Sequence, residues 1–135
     1  MIIKDGKLLA VKNADHPGLF YCVGGRMRIN ETSEAAVVRE SYEETGCKLE
    51  IDRIRFVEES MFNIGETKYH LVAFHYLMKG CPRLDIKDGK STDQGAIETL
   101  HWLPLDNLDK FELMPTFLRH KQLDGAGLEH IITSN

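Results

Sequence analysis

Glu40, Glu43 and Glu44 recur at i, i+3 and i+4, with Arg39 directly before the first of them and Glu31 further upstream. On an α-helix those positions share one side, so three carboxylates line a single stripe. Oxygen donors on a rigid element, without a His or Cys among them, suit a hard cation such as Mg²⁺ or Mn²⁺ rather than zinc. Mg²⁺ keeps several waters and is commonly shared between carboxylates and substrate phosphates, so the expected substrate is a phosphate compound. A solvated helix face is the ordinary reading of such a run, and here it fits poorly. Glu40 and Glu44 form a like-charge pair, and all three glutamates crowd the last two turns, where the helix dipole favours cations; each mismatch costs roughly 0.2–1 kcal/mol. Arg39 relieves part of this by pairing with Glu43, and a divalent cation would relieve the rest.

The helix that must carry these side chains is well marked. Thr32 or Ser33 can cap its N-terminus, Glu34 falls in the first turn and Gly46 suits the residue after its end, which predicts a helix over residues 33–45. Ala35, Val38 and Tyr42 fall on the side away from the glutamates and are expected to pack. Ahead of the helix, Gly24-Gly25 follows the apolar run Leu19 to Val23. Paired glycines let backbone approach a ligand closely, although a plain turn explains them equally well.

From Gly25 to Cys47 the chain resembles the Nudix hydrolase superfamily, whose box is G-x5-E-x7-R-E-U-x-E-E-x-G-U, with U a bulky apolar residue. Gly25, Glu31, Arg39, Glu40, Glu43, Glu44 and Gly46 match seven of the nine defined positions; Cys47 is a permissive match and Ser41 a mismatch. Tyr42 is expected to supply the packing that Ser41 lacks. Val23 replaces a proline common before the glycine pair, and Asn30 a glycine common before the first glutamate. These departures touch loop geometry and remove no carboxylate.

The resemblance implies an α/β (α+β) fold, a mixed β-sheet sandwiched between helices, in a single domain over residues 1–135. It implies divalent-metal-dependent hydrolysis of the pyrophosphate bond in a nucleoside diphosphate linked to another moiety, such as a nucleotide sugar or a nucleoside triphosphate. Glu40 and Glu44 are then the expected Mg²⁺ or Mn²⁺ ligands, with Glu43 next and the Gly24 carbonyl as a backbone ligand. Gly25, Glu31 and Arg39 would hold them in place, the support that metal sites usually need. Glu98, or a box glutamate such as Glu43 or Glu44, would activate the water, with Asp93 and Asp85 behind it. The added marks of the ADP-ribose, NADH, coenzyme A and dinucleoside polyphosphate subfamilies are not found, which leaves the substrate open. The alternative is a Nudix-fold nucleotide-binding or sensor domain without hydrolysis; such domains have usually lost box carboxylates, and all four are present here.

The rest of the chain bounds the answer. Its 135 residues, 42% of them hydrophobic, suit one core, and a net charge of −4 argues against a nucleic-acid polymer as partner and leaves a small-molecule nucleotide. No apolar run approaches a membrane span, and three cysteines without C-x-x-C spacing read as free thiols, so a cytoplasmic protein with no membrane partner is expected. Asp5-Gly6 predicts a hairpin at the very start, and this bare first strand is expected to need cover from a second subunit in a homodimer. Strands are expected over Lys48–Glu59 and Thr67–Met78, the latter at least half buried on both faces, with a hairpin loop at Met61–Glu66. A long loop spans Gly80–Ala96, a strand Thr99–Leu103, and Pro115 opens a helix to about Leu123. His16, His70 and His75 are expected to be ordinary loop and sheet residues.

Overall fold

A computed structural model describes residues 1–134, apart from the side chain of Ala96. In chain order these residues form β1 (Ile3–Lys4), β2 (Lys7–Asn13), β3 (Leu19–Cys22), α1 (Ser33–Thr45), β4 (Ile51–Ile64) and β5 (Thr67–Met78). β6 (Ser91–Thr92), β7 (Gly95–Pro104), β8 (Glu112–Met114) and β9 (Glu129–Ser134) follow, with 3-10 turns at Leu105–Lys110 and Thr116–His120. One mixed sheet runs β6-β7-β2-β3-β8, with β1 also paired to β2, and a second runs β5-β4-β9.

β2 is the centre because both of its sides are apolar. Leu8 and Ala10 enter a cluster with Phe56, Leu77, Leu108 and Leu118, whereas Leu9 and Val11 enter another with Val23, Leu49, Tyr76 and Leu100. Alternation with a period of two thus places core on both faces of one strand. Helical segments cover both sides of the first sheet: Val37 and Val38 of α1 pack on the second cluster, and Leu108 and Leu118 of the 3-10 turns enter the first. The mixed α+β class follows, with a three-stranded second sheet adding to the layer that the turns make.

Several local expectations hold and others need correcting. Asp5 and Gly6 have φ of 51° and 71°, the two left-handed positions of a tight hairpin. Met1 and Ile2 are 4% and 3% exposed, so the chain itself covers its first strand and no second subunit is needed there. β4 continues to Ile64, leaving Gly65-Glu66 as the turn where a longer loop was expected. The outer half of β5, Thr67–Val72, is exposed, contrary to the two half-buried faces expected, because nothing among the described residues covers it. The helix expected from Pro115 is a 3-10 turn of five residues. β9, which the sequence did not mark, lies parallel to β4, and Arg55 anchors the segment before it through the carbonyls of Gln122 and Gly127 and the Glu129 carboxylate at 2.7 Å.

Candidate active site

The box helix has the extent its caps predict. Thr32 accepts the Ala35 N–H on its hydroxyl, and Gly46, at φ 74°, returns its N–H to the Tyr42 carbonyl in a left-handed C-terminal cap. The packing side is rotated from the one expected: Ala36, Ser41 and Thr45 are buried, while Tyr42 is 56% exposed. Ser41 therefore fills its own position, and the Thr45 hydroxyl beside it donates to the Ser41 carbonyl at 2.6 Å. On the helix so placed Glu44 is half-buried, with its Oε2 enclosed.

Arg39 organises the glutamates. It grips Glu31 through two bonds, Nε to Oε1 at 2.7 Å and Nη2 to Oε2 at 2.9 Å, and its Nη1 reaches Glu40 at 2.5 Å and Glu43 at 3.1 Å. The fork geometry of a guanidinium makes this multiple contact possible. Glu31 also accepts the Arg28 N–H at 2.8 Å, and the Arg28 side chain reaches Glu43 at 3.4 Å. Hydrogen bonds from Arg39 above all, then the Arg28 amide, hold the Glu31 carboxyl down to a pKa of about 2. Asn30 takes a φ of 64° in the preceding loop, a conformation that asparagine tolerates better than most residues and that accounts for its standing in for glycine.

Glu44 is the opposite case. Burial, then the charge of Glu98, push its carboxyl up to about 8, with Glu40 and Asp93 adding to the rise and the Gly24 amide opposing it. Its Oε2 is buried without a hydrogen-bond partner among the described residues. Glu98, in register with Asn13 on β2, accepts the Thr92 hydroxyl at 3.2 Å. Glu44, Glu98 and Gly24 line a cavity of about 380 Å³. The structure thus brings Glu98 to the box helix, sets Asp93 close enough to act on Glu44 electrostatically, and leaves Asp85 exposed outside the cavity.

Hard oxygen donors, an orphaned buried carboxylate oxygen and a surplus of negative charge suit a divalent cation. Among the described residues no three carboxylate, imidazole or thiol groups form a closed cage, and Glu40 and Glu43 are held on Arg39. Gly25 keeps room for Glu40: a Cβ there would lie 2.4 Å from the Glu40 carboxyl carbon. Gly25→Ala is therefore expected to preserve the fold, since Glu40 can swing aside, and to lower kcat/KM about 10- to 100-fold. Melting curves and initial rates check this, and an unchanged rate would show that the place of Glu40 is immaterial.

Five cavity residues escaped the sequence reading: Val11, Asn13, His16, Tyr21 and Cys22. His16 was taken for an ordinary loop residue, and no local pattern distinguishes it; only the pairing of β2 with β3 and β7 carries its loop to the box helix. Arg28 was missed too, although a basic residue just ahead of an acidic helix is a signal that could have found it.

An acidic cavity beside a glutamate-bearing helix, on a mixed sheet, suits the hydrolysis of phosphoric anhydrides. The family model for the NUDIX domain matches residues 1–122, and the chain belongs to the Nudix family and is a Nudix hydrolase. It is 30% identical over 128 residues to a MutT-like protein of Streptomyces ambofaciens, covering 94% of this chain and 75% of that one. It is 28% identical over 123 residues to an ADP-ribose pyrophosphatase of Methanocaldococcus jannaschii, covering 90% and 71%. The crystal structure of the MutT protein from Bacillus halodurans superposes with a TM-score of 0.71 at 17% identity, over 96% of this chain and 85% of that one. The solution structure of the E. coli ORF135 protein gives 0.56 at 23% identity, over 87% and 79%. Pyrophosphate hydrolysis on small nucleotide derivatives, generally with a divalent metal, is the chemistry of this family.

Proposed function

We propose that the protein is a Mg²⁺- or Mn²⁺-dependent pyrophosphohydrolase of a nucleoside diphosphate linked to another moiety, acting as a single domain over residues 1–135. The observation that carries this reading is Glu44, half-buried near Glu98 with one enclosed oxygen unpartnered among the described residues. Glu40, Glu43, Glu44 and the Gly24 carbonyl would hold the metal, with Gly25 leaving room for Glu40, and Arg39 and Glu31 fixing the carboxylates from behind. When bound, the cation neutralises charge on the pyrophosphate and acidifies water. Glu98 takes the proton of the attacking water, whose oxygen bonds to one phosphorus while the bridging oxygen leaves with the other phosphate. Its contact with Thr92 aims the Glu98 carboxylate, and Glu98 lines the same cavity as Glu44, where the substrate would lie.

A panel of nucleotide sugars, nucleoside triphosphates, dinucleoside polyphosphates and ADP-ribose, incubated with Mg²⁺ or Mn²⁺ and with chelator, tests the proposal. Chelator-sensitive release of phosphate or nucleotide from one class is expected. Binding without turnover of any of them would replace it with a nucleotide-binding or sensor role.

The three cysteines are free thiols, which supports a reducing, cytoplasmic setting, and among the described residues no helix is long and apolar enough to cross a membrane. Val72 and Ile132, 48% and 63% exposed, flank Glu59 across the second sheet and support a homodimer through that face. A monomeric mass by light scattering would exclude it.

A further inference from the structure

β5 is an edge strand, bonded to β4 on one side only. The inner end of its free side is occupied: the Met1 amine donates to the Tyr76 carbonyl, and the Met78 N–H donates to the Met1 carbonyl at 3.0 Å. Tyr76 and Met78 therefore turn their backbone groups outward, and on an alternating strand so do Phe74, Val72, His70 and Lys68. Among the described residues no strand takes up the groups from Lys68 to Phe74. Edges are ordinarily protected by proline, by charge or by a bulge. The stretch Thr67 to Phe74 holds no proline and a single lysine, and the irregularities in the β4–β5 register fall between Ile51 and Phe56, away from it. Tyr69, Leu71, Val72 and Phe74 are exposed along it, on alternate faces.

An open, regular, apolar edge is a template for another strand. We propose that this strand is β5 of a second copy of the chain, paired antiparallel about a two-fold axis at Leu71, so that the second sheets of both copies become one. The inference rests on the homodimer reading above and names the element that makes the contact. The open stretch from Lys68 to Phe74 is centred on Leu71, so an antiparallel copy sets Lys68 against the partner's Phe74 and His70 against the partner's Val72. Every outward N–H then meets a carbonyl, and the same patch serves both copies. Charge fits this register as well. Each Lys68 ammonium comes beside the partner's Phe74 ring, a favourable cation–π pairing, and the two lysines stand at opposite ends; a parallel copy would set lysine beside lysine. At the axis Leu71, 43% exposed, covers the partner's Leu71.

Light scattering of the intact chain over a concentration series tests this, and a mass of twice 15.4 kDa is expected. Leu71→Lys and Leu71→Glu each bring like charges together at the axis and are each expected to raise the dimer Kd at least about tenfold. Mixed in equal amounts, the two variants are expected to pair with each other and recover the dimer mass. Val72→Pro removes an outward N–H and spares the ladder to β4, so it is expected to melt cooperatively as a monomer. Melting curves of the Leu71 variants check that they fold, and because Leu71 and Val72 point to opposite faces, these variants leave the Val72 and Ile132 face intact. A dimer that persists in both Leu71 variants is held through that face, which overturns the edge pairing and leaves the homodimer standing. Monomeric Leu71 variants that stay monomeric on mixing overturn the axis at Leu71. A monomeric wild type removes the edge pairing and the homodimer together.

Discussion

Glu44→Gln protein is expected to fold and to hydrolyse substrate about 10³-fold more slowly than the wild type, the rate equivalent of roughly 4 kcal/mol. The substitution preserves shape and removes the one carboxylate among the described residues that has an enclosed oxygen without a partner. A second, independent effect accompanies it in metal-free protein. The folded state raises the Glu44 carboxyl from 4.5 to about 8, mainly through burial. A raised pKa means that this group's contribution is intact below about pH 4.5 and is lost as pH climbs through 8, because the unfolded chain then ionises more readily than the folded one. Glutamine has no such dependence. Between pH 5 and 9 the chelated wild type is therefore expected to lose about 3–5 kcal/mol relative to the variant, or about 10 °C in Tm. Added Mg²⁺ restores the wild type by satisfying the ionised carboxylate and has little effect on the variant. Thermal melts across pH, with and without chelator, check the sign. Parallel curves would refute the burial argument, and retained turnover would sink the role of Glu44.

Arg39→Lys is expected to lower kcat/KM about 10- to 100-fold, and Arg39→Ala at least as much, although neither group touches the cavity lining. Arg39 contacts Glu31, Glu40 and Glu43 at once, and a lysine ammonium cannot reproduce a fork that spans three carboxylates. Without it Glu40 and Glu43 lose the cation that fixes them and repel each other. Glu31 reports the same event directly. Its carboxyl is held to about 2 chiefly by Arg39, so its stabilising contribution is present above the ordinary carboxylate range and is lost as pH falls toward 2. In Arg39→Ala protein the Glu31 carboxyl is expected to titrate close to an ordinary glutamate, which carboxyl NMR measures. A Lys variant with full activity would show that charge alone suffices. An unmoved Glu31 titration would show that the Arg28 amide dominates.

The helix and its charge stripe were legible because their determinants are local. Thr32 and Gly46 cap it through neighbours three and four residues away, and the spacing of Glu40, Glu43 and Glu44 fixes their shared side. The hairpin at Asp5-Gly6 and the strand Thr67–Met78 were legible for the same reason. The packing angle of the helix was not. Tyr42 is apolar enough to be assigned to the core and Ser41 polar enough to be assigned to solvent, yet Ser41 and Thr45 are buried and Tyr42 is 56% exposed. β9 was equally hidden, since Glu129–Ser134 becomes a strand by pairing with β4, more than seventy positions away in the chain.

Chemistry and class were therefore written in the chain: which carboxylates lie together on one helix, that an arginine stands among them, and that their donors suit a hard cation. Depth and company were not. Whether Glu44 sits in water or in low dielectric, and whether Glu98 meets it, depend on the register of β7 against β2. Such pairings join residues distant in sequence, and their energies come from burial and desolvation of the assembled core, to which no short stretch of sequence has access.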